Sequence, residues 1–378
     1  MLNSLYIRNY RNLKSLKLDS LDQVNLITGK NNTGKSSLLE AILIYASKGN
    51  LQEIAEVIES HGEYLDINNS STDNQEAEYG ALSSLFHNRI AAFESEDAIS
   101  VGEILKSEHG DVSTAPGTVA LKFLRFIDEK QKDENGIIIS RRKIIEEGTH
   151  EDNYEIGFNV IVKGGFKKLL TLGSINFRGI GIVDKSITDN FQFIKTGNFD
   201  REINGKLFDN IALTNKEKYV VEALKIIEPS TERIAFIEKN KGRNRERTAI
   251  IKLENIKETY PLKSMGDGIN RVLTIILALV NSENGFLMID EFENGLHYTA
   301  QEQLWKIIFK LSKDLNVQIF ATTHSEDCIS GFQRTLNHPQ NNVKGKLIRL
   351  DNIDGVIQQT QFSSDELRIA NEQDIEVR

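Results

Sequence analysis

The chain has 378 residues, of which 39% are hydrophobic and 27% charged, a composition typical of a globular protein with a substantial core and roughly two to three domains. Its formal net charge of -9 argues against a surface devoted to nucleic acid, although a local basic groove is compatible with it. The single cysteine, Cys328, excludes an intrachain disulfide and a cysteine metal cluster. Because neither a leader sequence nor a membrane-spanning run is evident, we expect a cytoplasmic protein.

The N-terminal residues predict three strands and a helix. Alternating apolar and polar residues at Leu2–Ile7 and Leu13–Leu18 are typical of edge strands, and the run Val24–Ile27 predicts a buried strand. A helix is predicted over 35–48, apolar on nearly every side, as in a helix packed into a sheet.

A phosphate-binding loop lies between the buried strand and this helix. The octapeptide Gly29–Ser36 has the full G-x-x-x-x-G-K-[ST] pattern, which a surface turn rich in glycine and asparagine rarely acquires by chance. Backbone N–H groups surround the phosphates in such a loop, Lys35 reaches the β- and γ-phosphates, and Ser36 coordinates Mg²⁺. We therefore expect ATP and Mg²⁺ as ligands. The candidate contacts are Asn31, Asn32, Thr33, Gly34, Lys35, Ser36 and Ser37.

The middle of the chain changes character. The polar segment from His61 to Gly80 predicts a long loop or partial disorder, and residues 107–118 are similar. From Thr118 to Ile194, short runs predict antiparallel strands and hairpins. These runs are Val119–Phe123, Gly136–Ser140 and Tyr154–Phe158.

The C-terminal part predicts an α/β arrangement. A helix is expected over Lys216–Ile227, then two strands around Ile234 and Ala249 linked by Lys239–Arg247. From Gly266 onward, the order helix, strand, helix, strand, helix is typical of a parallel sheet.

Two of these strands end in chemically significant residues. The strand Gly285–Ile289 leads into Asp290, expected to hold Mg²⁺, and Glu291, expected to orient and deprotonate the attacking water. The next strand, Val317–Ala321, leads to His324, which can donate to the γ-phosphate or to that water. Each feature alone is commonly structural, and the upstream phosphate loop favours the catalytic interpretation.

A second phosphate cradle is predicted before the helix at 269–281. Ser264, Gly266 and Gly268 combine a hydroxyl with glycine-freed N–H groups at a helix N-terminus. The alternative is an ordinary N-cap formed by Ser264 or Asp267.

Several segments together resemble SMC and ABC-type ATPase heads, specifically the bacterial ATPases related to the OLD (overcoming-lysogenization-defect) family, many of which are encoded in anti-phage defence modules. The matching segments are Ile7–Asn12, Ser264–Arg271, Asp290–His297 and Phe320–Ser325. The resemblance implies an α/β fold: an ABC-type ATPase head with an antiparallel β subdomain and a parallel-sheet core. It also implies one composite unit, with 1–50 and 200–378 forming the nucleotide-binding core and 51–199 an inserted helical and antiparallel β subdomain.

The resemblance further implies a head-to-tail homodimer. ATP and Mg²⁺ would lie on Lys35, Ser36 and Asp290 of one subunit, and Ser264 and Gly266 of the other would close over the γ-phosphate. Met265 and Asp267 depart from the usual L-S-G-G-Q signature, and no Mg²⁺-sensing loop glutamine can be assigned. Slow hydrolysis is therefore expected.

Nuclease activity is not expected. OLD nucleases carry a C-terminal Toprim domain, and the residues after His324 are too few for one by usual domain sizes. Asp351 and Asp354 lie in a predicted hairpin turn. The basic stretch of 239–247 is the best nucleic-acid candidate, but a solvated hairpin tip is the favoured interpretation, and Arg141–Lys143 is weaker.

These features predict an ATP-dependent switch that gates a separate effector or sensor protein, by family analogy in phage defence. Two alternatives remain: a DNA-engaging repair or maintenance ATPase of SMC type, and a nucleotide-bound scaffold with little turnover.

Overall fold

A computed structural model describes residues 1–63, 72–106, 112–132, 138–145, 154–172, 189–196, 201–241 and 244–373. The strands are β1 Leu5–Tyr10, β2 Leu13–Leu18, β3 Val24–Thr28, β4 Ile99–Gly102, β5 Ile104–Lys106, β6 Val112–Thr114, β7 Val119–Lys132, β8 Ile138–Ile144, β9 Glu155–Val162, β10 Lys167–Thr171, β11 Phe191–Ile194, β12 Thr231–Lys241, β13 Asn244–Leu253, β14 Thr259–Pro261, β15 Phe286–Ile289, β16 Gln318–Thr322, β17 Gly345–Ile353 and β18 Val356–Phe362. The helices are α1 Lys35–Ala46, α2 Leu51–Ser60, α3 Thr72–Ser83, α4 Arg201–Asp209, α5 Glu217–Leu224, α6 Asp267–Asn281, α7 Tyr298–Asp314, α8 Glu326–Leu336 and α9 Ser364–Glu372.

A mostly parallel sheet forms the core of the C-terminal half. Its strand order is β11-β15-β16-β3-β17-β18, and only β18 runs antiparallel, as the second strand of a hairpin with β17. Strands β3, β15 and β16 are buried at every position, as expected for a sheet covered on both faces. The carboxyl ends of these strands therefore meet at one edge of the sheet, where the predicted site residues follow them.

An antiparallel sheet is built from the N-terminal strands and the middle of the chain. Its order is β10-β9-β7-β4-β1-β2, with β8 paired to β7. Strand β2 is an edge strand, as predicted. The same prediction is wrong for β1, because β4 pairs with its other side. The mixed α/β architecture with both kinds of sheet matches the predicted fold class.

Helix α1 lies between the two sheets. Its apolar side chains share one core with Val101 and Leu121 of the antiparallel sheet and with Met288 and Phe320 of the parallel sheet. This position explains why the helix is apolar on nearly every side. Helices α6, α7 and α8 cover the opposite face of the parallel sheet in a second core around Trp305.

Strand pairing crosses the predicted domain limits. Strands β1 and β2 belong to the antiparallel sheet, whereas β11, which lies within 51–199, belongs to the parallel one. The division into 1–50 with 200–378, against 51–199, stays a prediction. None of the helices in the described part of the chain is long and apolar enough to cross a membrane.

The predicted polar loop is wrong over part of its length. Residues 72–80 begin helix α3, whose Ala81 and Leu82 are buried and whose Tyr79 ring lies 4.9 Å from that of Phe123. These few apolar side chains anchor an otherwise polar helix. Residues 64–71 lie outside the described residues. Residues 112–114 of the second polar segment form β6, paired with β5, and 107–111 again lie outside.

Two further predictions concern hairpins. The linker predicted at 239–247 is mostly strand, because the β12–β13 ladder extends to the pair Lys241 and Asn244, and such pairing needs only backbone groups. The turn predicted near Asp354 is confirmed. Asp354 and Gly355 have φ values of 52° and 83° and connect β17 to β18, as in a type I′ turn.

Candidate nucleotide site

The phosphate loop leaves the carboxyl end of β3 and enters α1. Gly29 has a φ of 138°, and a Cβ there would lie 2.3 Å from the carbonyl oxygen of Leu350. Gly34 has a φ of 87° and is the N-cap of α1, with no side-chain cap hydrogen bond from any described residue. Glycine is thus required at both positions. The N–H groups at the start of α1 are available to an anion.

Lys35 lies across this loop, with a residue exposure of only 7%. Its Nζ donates to the carbonyl oxygens of Gly29 at 2.8 Å and Lys30 at 2.7 Å. Burial lowers the pKa of Lys35 to about 8, and the nearby carboxylates of Asp290, Glu291 and Glu293 oppose that shift. The ammonium group is therefore held in the loop, where phosphates would meet it.

Three hydroxyl groups converge on the carboxylate of Asp290. Ser36 Oγ from α1 lies 3.1 Å from Oδ2, Thr196 Oγ1 after β11 donates to Oδ2 at 3.0 Å, and Thr322 Oγ1 at the end of β16 donates to Oδ1 at 2.6 Å. The structure thus brings the two predicted metal ligands, Ser36 and Asp290, together. Hydroxyl and carboxylate oxygens are ligands that Mg²⁺ prefers, so this donor set fits the ion.

Glu291 adopts a left-handed backbone conformation, with a φ of 48°. Its N–H donates to Thr322 Oγ1 at 2.9 Å, and its carbonyl oxygen accepts from Arg271 Nη2 at 2.7 Å. The next residue, Phe292, is buried and stacks on Trp305, with ring centroids 4.0 Å apart. The backbone of the predicted general base is therefore held by neighbours on both sides.

His324 lies at the same sheet edge, after β16. Its backbone N–H donates to Glu293 Oε1 at 2.7 Å, and Thr323 Oγ1 donates to Glu293 Oε2 at 2.7 Å. Ser325 then caps helix α8 by accepting from the Cys328 N–H. Glu293 thus ties the segment after β15 to the segment after β16. The catalytic role of His324 stays a prediction.

The predicted second cradle forms a short 3-10 turn, Leu262–Met265, followed by helix α6. Ser264, Gly266 and Asp267 are exposed, and Ser264 Oγ donates to the Pro261 carbonyl oxygen at 2.7 Å. The capping alternative is wrong, because Gly266 is the N-cap of α6 and no described side chain caps it. Gly268 is half-buried, and a Cβ there would lie 3.3 Å from the Gly295 carbonyl oxygen.

Four residues around the site were not assigned a role from the sequence: Thr196, Arg271, Glu293 and Thr322. Thr322 and Glu293 lie beside predicted residues, and a polar residue at the carboxyl end of a buried strand was the available signal. Arg271 precedes the apolar residues Val272 and Leu273 of α6 and is buried, which is rare for an arginine unless it is paired. Thr196 lies in no recognisable motif.

The fold is of the SMC-head type, and its site combines a phosphate loop with the carboxylate of Asp290. The family model described as "AAA ATPase domain" matches residues 1–163 and 166–329, and the chain belongs to this family.

Individual proteins match this chain either at low identity or over a short segment. The chain is 26% identical over 349 residues to an "ATP/GTP phosphatase" of Helicobacter pylori, covering 87% of this chain and 86% of that protein. It is 44% identical over 45 residues to the DNA replication and repair protein RecF of Exiguobacterium sp., 12% of each chain. The crystal structure of an SMC head bound to the C-winged helix domain of ScpA has a TM-score of 0.51 and 12% identity, covering 96% of this chain and 97% of that one. The last similarity shows the fold.

Proposed function

We propose that this protein is an ATP-driven molecular switch whose nucleotide state controls a separate effector or sensor protein. The observation that carries the proposal is the convergence on Asp290 of Ser36, Thr196 and Thr322, next to the buried ammonium of Lys35. This arrangement combines a phosphate loop, a set of oxygen ligands for Mg²⁺ and a neighbouring carboxylate in one place.

Each residue has a role in phosphoryl transfer. Lys35 neutralises charge on the β- and γ-phosphates, and Ser36 and Asp290 would hold Mg²⁺, which when bound would stabilise charge on the phosphate oxygens. Glu291 orients the attacking water and takes its proton. His324 donates a hydrogen bond to the γ-phosphate or to that water. Asn31, Asn32, Thr33, Gly34 and Ser37 complete the loop around the phosphates.

The complete site needs a second copy of the chain. Ser264 and Gly266 are exposed, and the N-terminus of α6 is capped by a glycine, so its N–H groups can receive a phosphate from another molecule. Gly268 contributes to the same cradle. Asp267 lies in the first turn of α6, where the positive end of the helix dipole stabilises its negative charge. This interaction accounts for an acidic residue at this position.

The biological role rests on the motif resemblance. Its pattern resembles that of the OLD-related ATPases, and we propose a cytoplasmic role in anti-phage defence with a separate effector. That an SMC head is bound to a domain of ScpA supports the idea that heads of this fold engage a second protein.

A mixing experiment tests the shared site. Lys35→Ala and Ser264→Arg variants should each be inactive alone. A heterodimer of the two retains one site with both an intact loop and an intact cradle, so equal mixing should restore about a quarter of wild-type ATPase activity for independent sites. The control is each variant alone at twice its concentration in the mixture. No recovery at any mixing ratio contradicts the head-to-tail dimer.

A DNA-engaging SMC-type ATPase is the second candidate. The SMC-like fold and the long β12–β13 hairpin, whose sequence is basic over 239–247, favour it. Duplex DNA binding that requires ATP and falls steeply with salt would support this candidate. Binding that is absent at low salt would exclude it.

A further inference from the structure

Arg271 connects helix α6 to the backbone of the two acidic residues after β15. Its residue exposure is 2%, and its Nη2 donates to the carbonyl oxygens of Asp290 at 3.0 Å and Glu291 at 2.7 Å. The carboxylates of Glu293, Asp290 and Glu291 are its charged neighbours. A buried guanidinium is thus directed at the main chain that carries the predicted metal ligand and the predicted base.

The conformation that Arg271 contacts is a strained one. A non-glycine residue in the left-handed region is strained and persists only when its surroundings hold it. For Glu291, with a φ of 48°, the N–H is held by Thr322 Oγ1 and the carbonyl oxygen by Arg271 Nη2. Removing the arginine would release one side of this clamp.

We propose that Arg271 is a positioning residue for ATP hydrolysis, which fixes the backbone of Glu291 so that its carboxylate meets the attacking water. The inference rests on the proposed ATPase function. Arg271 lies one turn into α6, and the exposed Gly266 and Ser264 lie just before this helix. The hydrogen bond from Arg271 to Glu291 therefore also connects two parts of the proposed dimer site. One is the predicted cradle for the phosphate of a second subunit, and the other is the predicted general base of the chain's own site.

The role predicts a separation of binding from turnover. In the proposed site Lys35 and Ser36 would hold the phosphates and Mg²⁺, and the hydrogen bonds that their side chains make in the described residues do not involve Arg271. A shift of the base by about 1 Å is enough to slow a reaction by roughly 100-fold. Loss of Arg271 should therefore lower kcat and leave the affinity for ATP almost unchanged.

The test compares Arg271→Met and Arg271→Lys with the wild type. ATP binding and steady-state hydrolysis are measured on protein whose fold is checked by circular dichroism and thermal melting. We expect Arg271→Met to lower kcat about 10- to 100-fold while the Kd for ATP stays within about threefold. Arg271→Lys should recover part of that loss, because an ammonium group can still donate to a carbonyl oxygen.

The exposed Arg334, which pairs with Glu302 on the surface of α7 and α8, supplies the matched control. Arg334→Met should leave kcat unchanged. If Arg271→Met does not fold, Arg271→Lys carries the test through the same separation of kcat from Kd. The inference is overturned if kcat is unchanged in the folded variant. It is also overturned if the affinity for ATP and kcat fall by the same factor. A wild type that does not hydrolyse ATP overturns the proposed function itself.

Discussion

Thr322 provides the sharpest test of how the site is held together. Its hydroxyl accepts from the Glu291 N–H at 2.9 Å and donates to Asp290 Oδ1 at 2.6 Å, and the residue is fully buried. The nearly isosteric Thr322→Val leaves the Glu291 N–H without this acceptor, at a cost of about 1–3 kcal/mol, and removes a hydrogen bond to a carboxylate worth about 1.5–3 kcal/mol. Together these two losses should lower the free energy of unfolding by about 2.5–6 kcal/mol.

Thr322→Ser is the matched control, because it keeps the hydroxyl and removes one methyl group, a loss of about 1 kcal/mol. Urea denaturation followed by circular dichroism measures both variants under identical conditions. ATPase assays should show a lower kcat for Thr322→Val than for Thr322→Ser. Equal losses of stability and of kcat in the two variants would refute the reasoning. The hydroxyl group of Thr322 would then contribute no more than its methyl group.

Three further predictions concern Lys35, Glu293 and nuclease activity. The pKa of Lys35 is about 8, and phosphate binding stabilises the charged form of this side chain. The affinity for ATP should therefore fall as the pH rises from about 7 to about 9. As the control, the residual ATP affinity of Lys35→Ala should not change over this range. Glu293→Ala removes both acceptors that hold Thr323 and His324, so kcat should fall more than in Glu293→Gln, and equal rates would count against this link. The purified protein should not cut plasmid, linear or single-stranded DNA or RNA, with or without ATP and Mg²⁺; cleavage that co-elutes with Glu291→Gln protein would reveal a missed nuclease site.

Local residue order was sufficient to predict the centre of the site. The phosphate loop occupies eight consecutive residues, and the apolar runs that became β3, β15 and β16 are buried at every position. The meeting of Ser36 with Asp290 was expected because both were assigned as Mg²⁺ ligands from their motifs and the family resemblance placed them in one site.

Contacts between distant segments were beyond that reasoning. Thr196 meets Asp290 across 94 residues, and the short strand β11 before it pairs next to β15, which no local pattern indicates. Helix α3 was assigned as a loop because its composition is polar, yet burial of Ala81 and Leu82 is enough to anchor it. In both cases tertiary packing decided the outcome.

Arg271 is a charged residue in a mostly apolar helix. It precedes the apolar residues Val272 and Leu273 of α6, which suggests that its charge is buried, but the carbonyl groups that accept from it lie on a distant segment. A charged residue within an apolar helix therefore indicates an unseen partner, and the structure supplies that partner.

The most direct test of the account compares nucleotide binding with hydrolysis in three proteins. Wild type should bind and hydrolyse ATP with Mg²⁺, Lys35→Ala should bind it weakly, and Glu291→Gln should bind it at least as tightly as wild type while retaining it unhydrolysed. Equilibrium binding of labelled ATP and phosphate release, measured on the same preparations, provide both quantities. Hydrolysis by Glu291→Gln at the wild-type rate, or unchanged ATP affinity in Lys35→Ala, would contradict the assignment of this site as the ATPase centre.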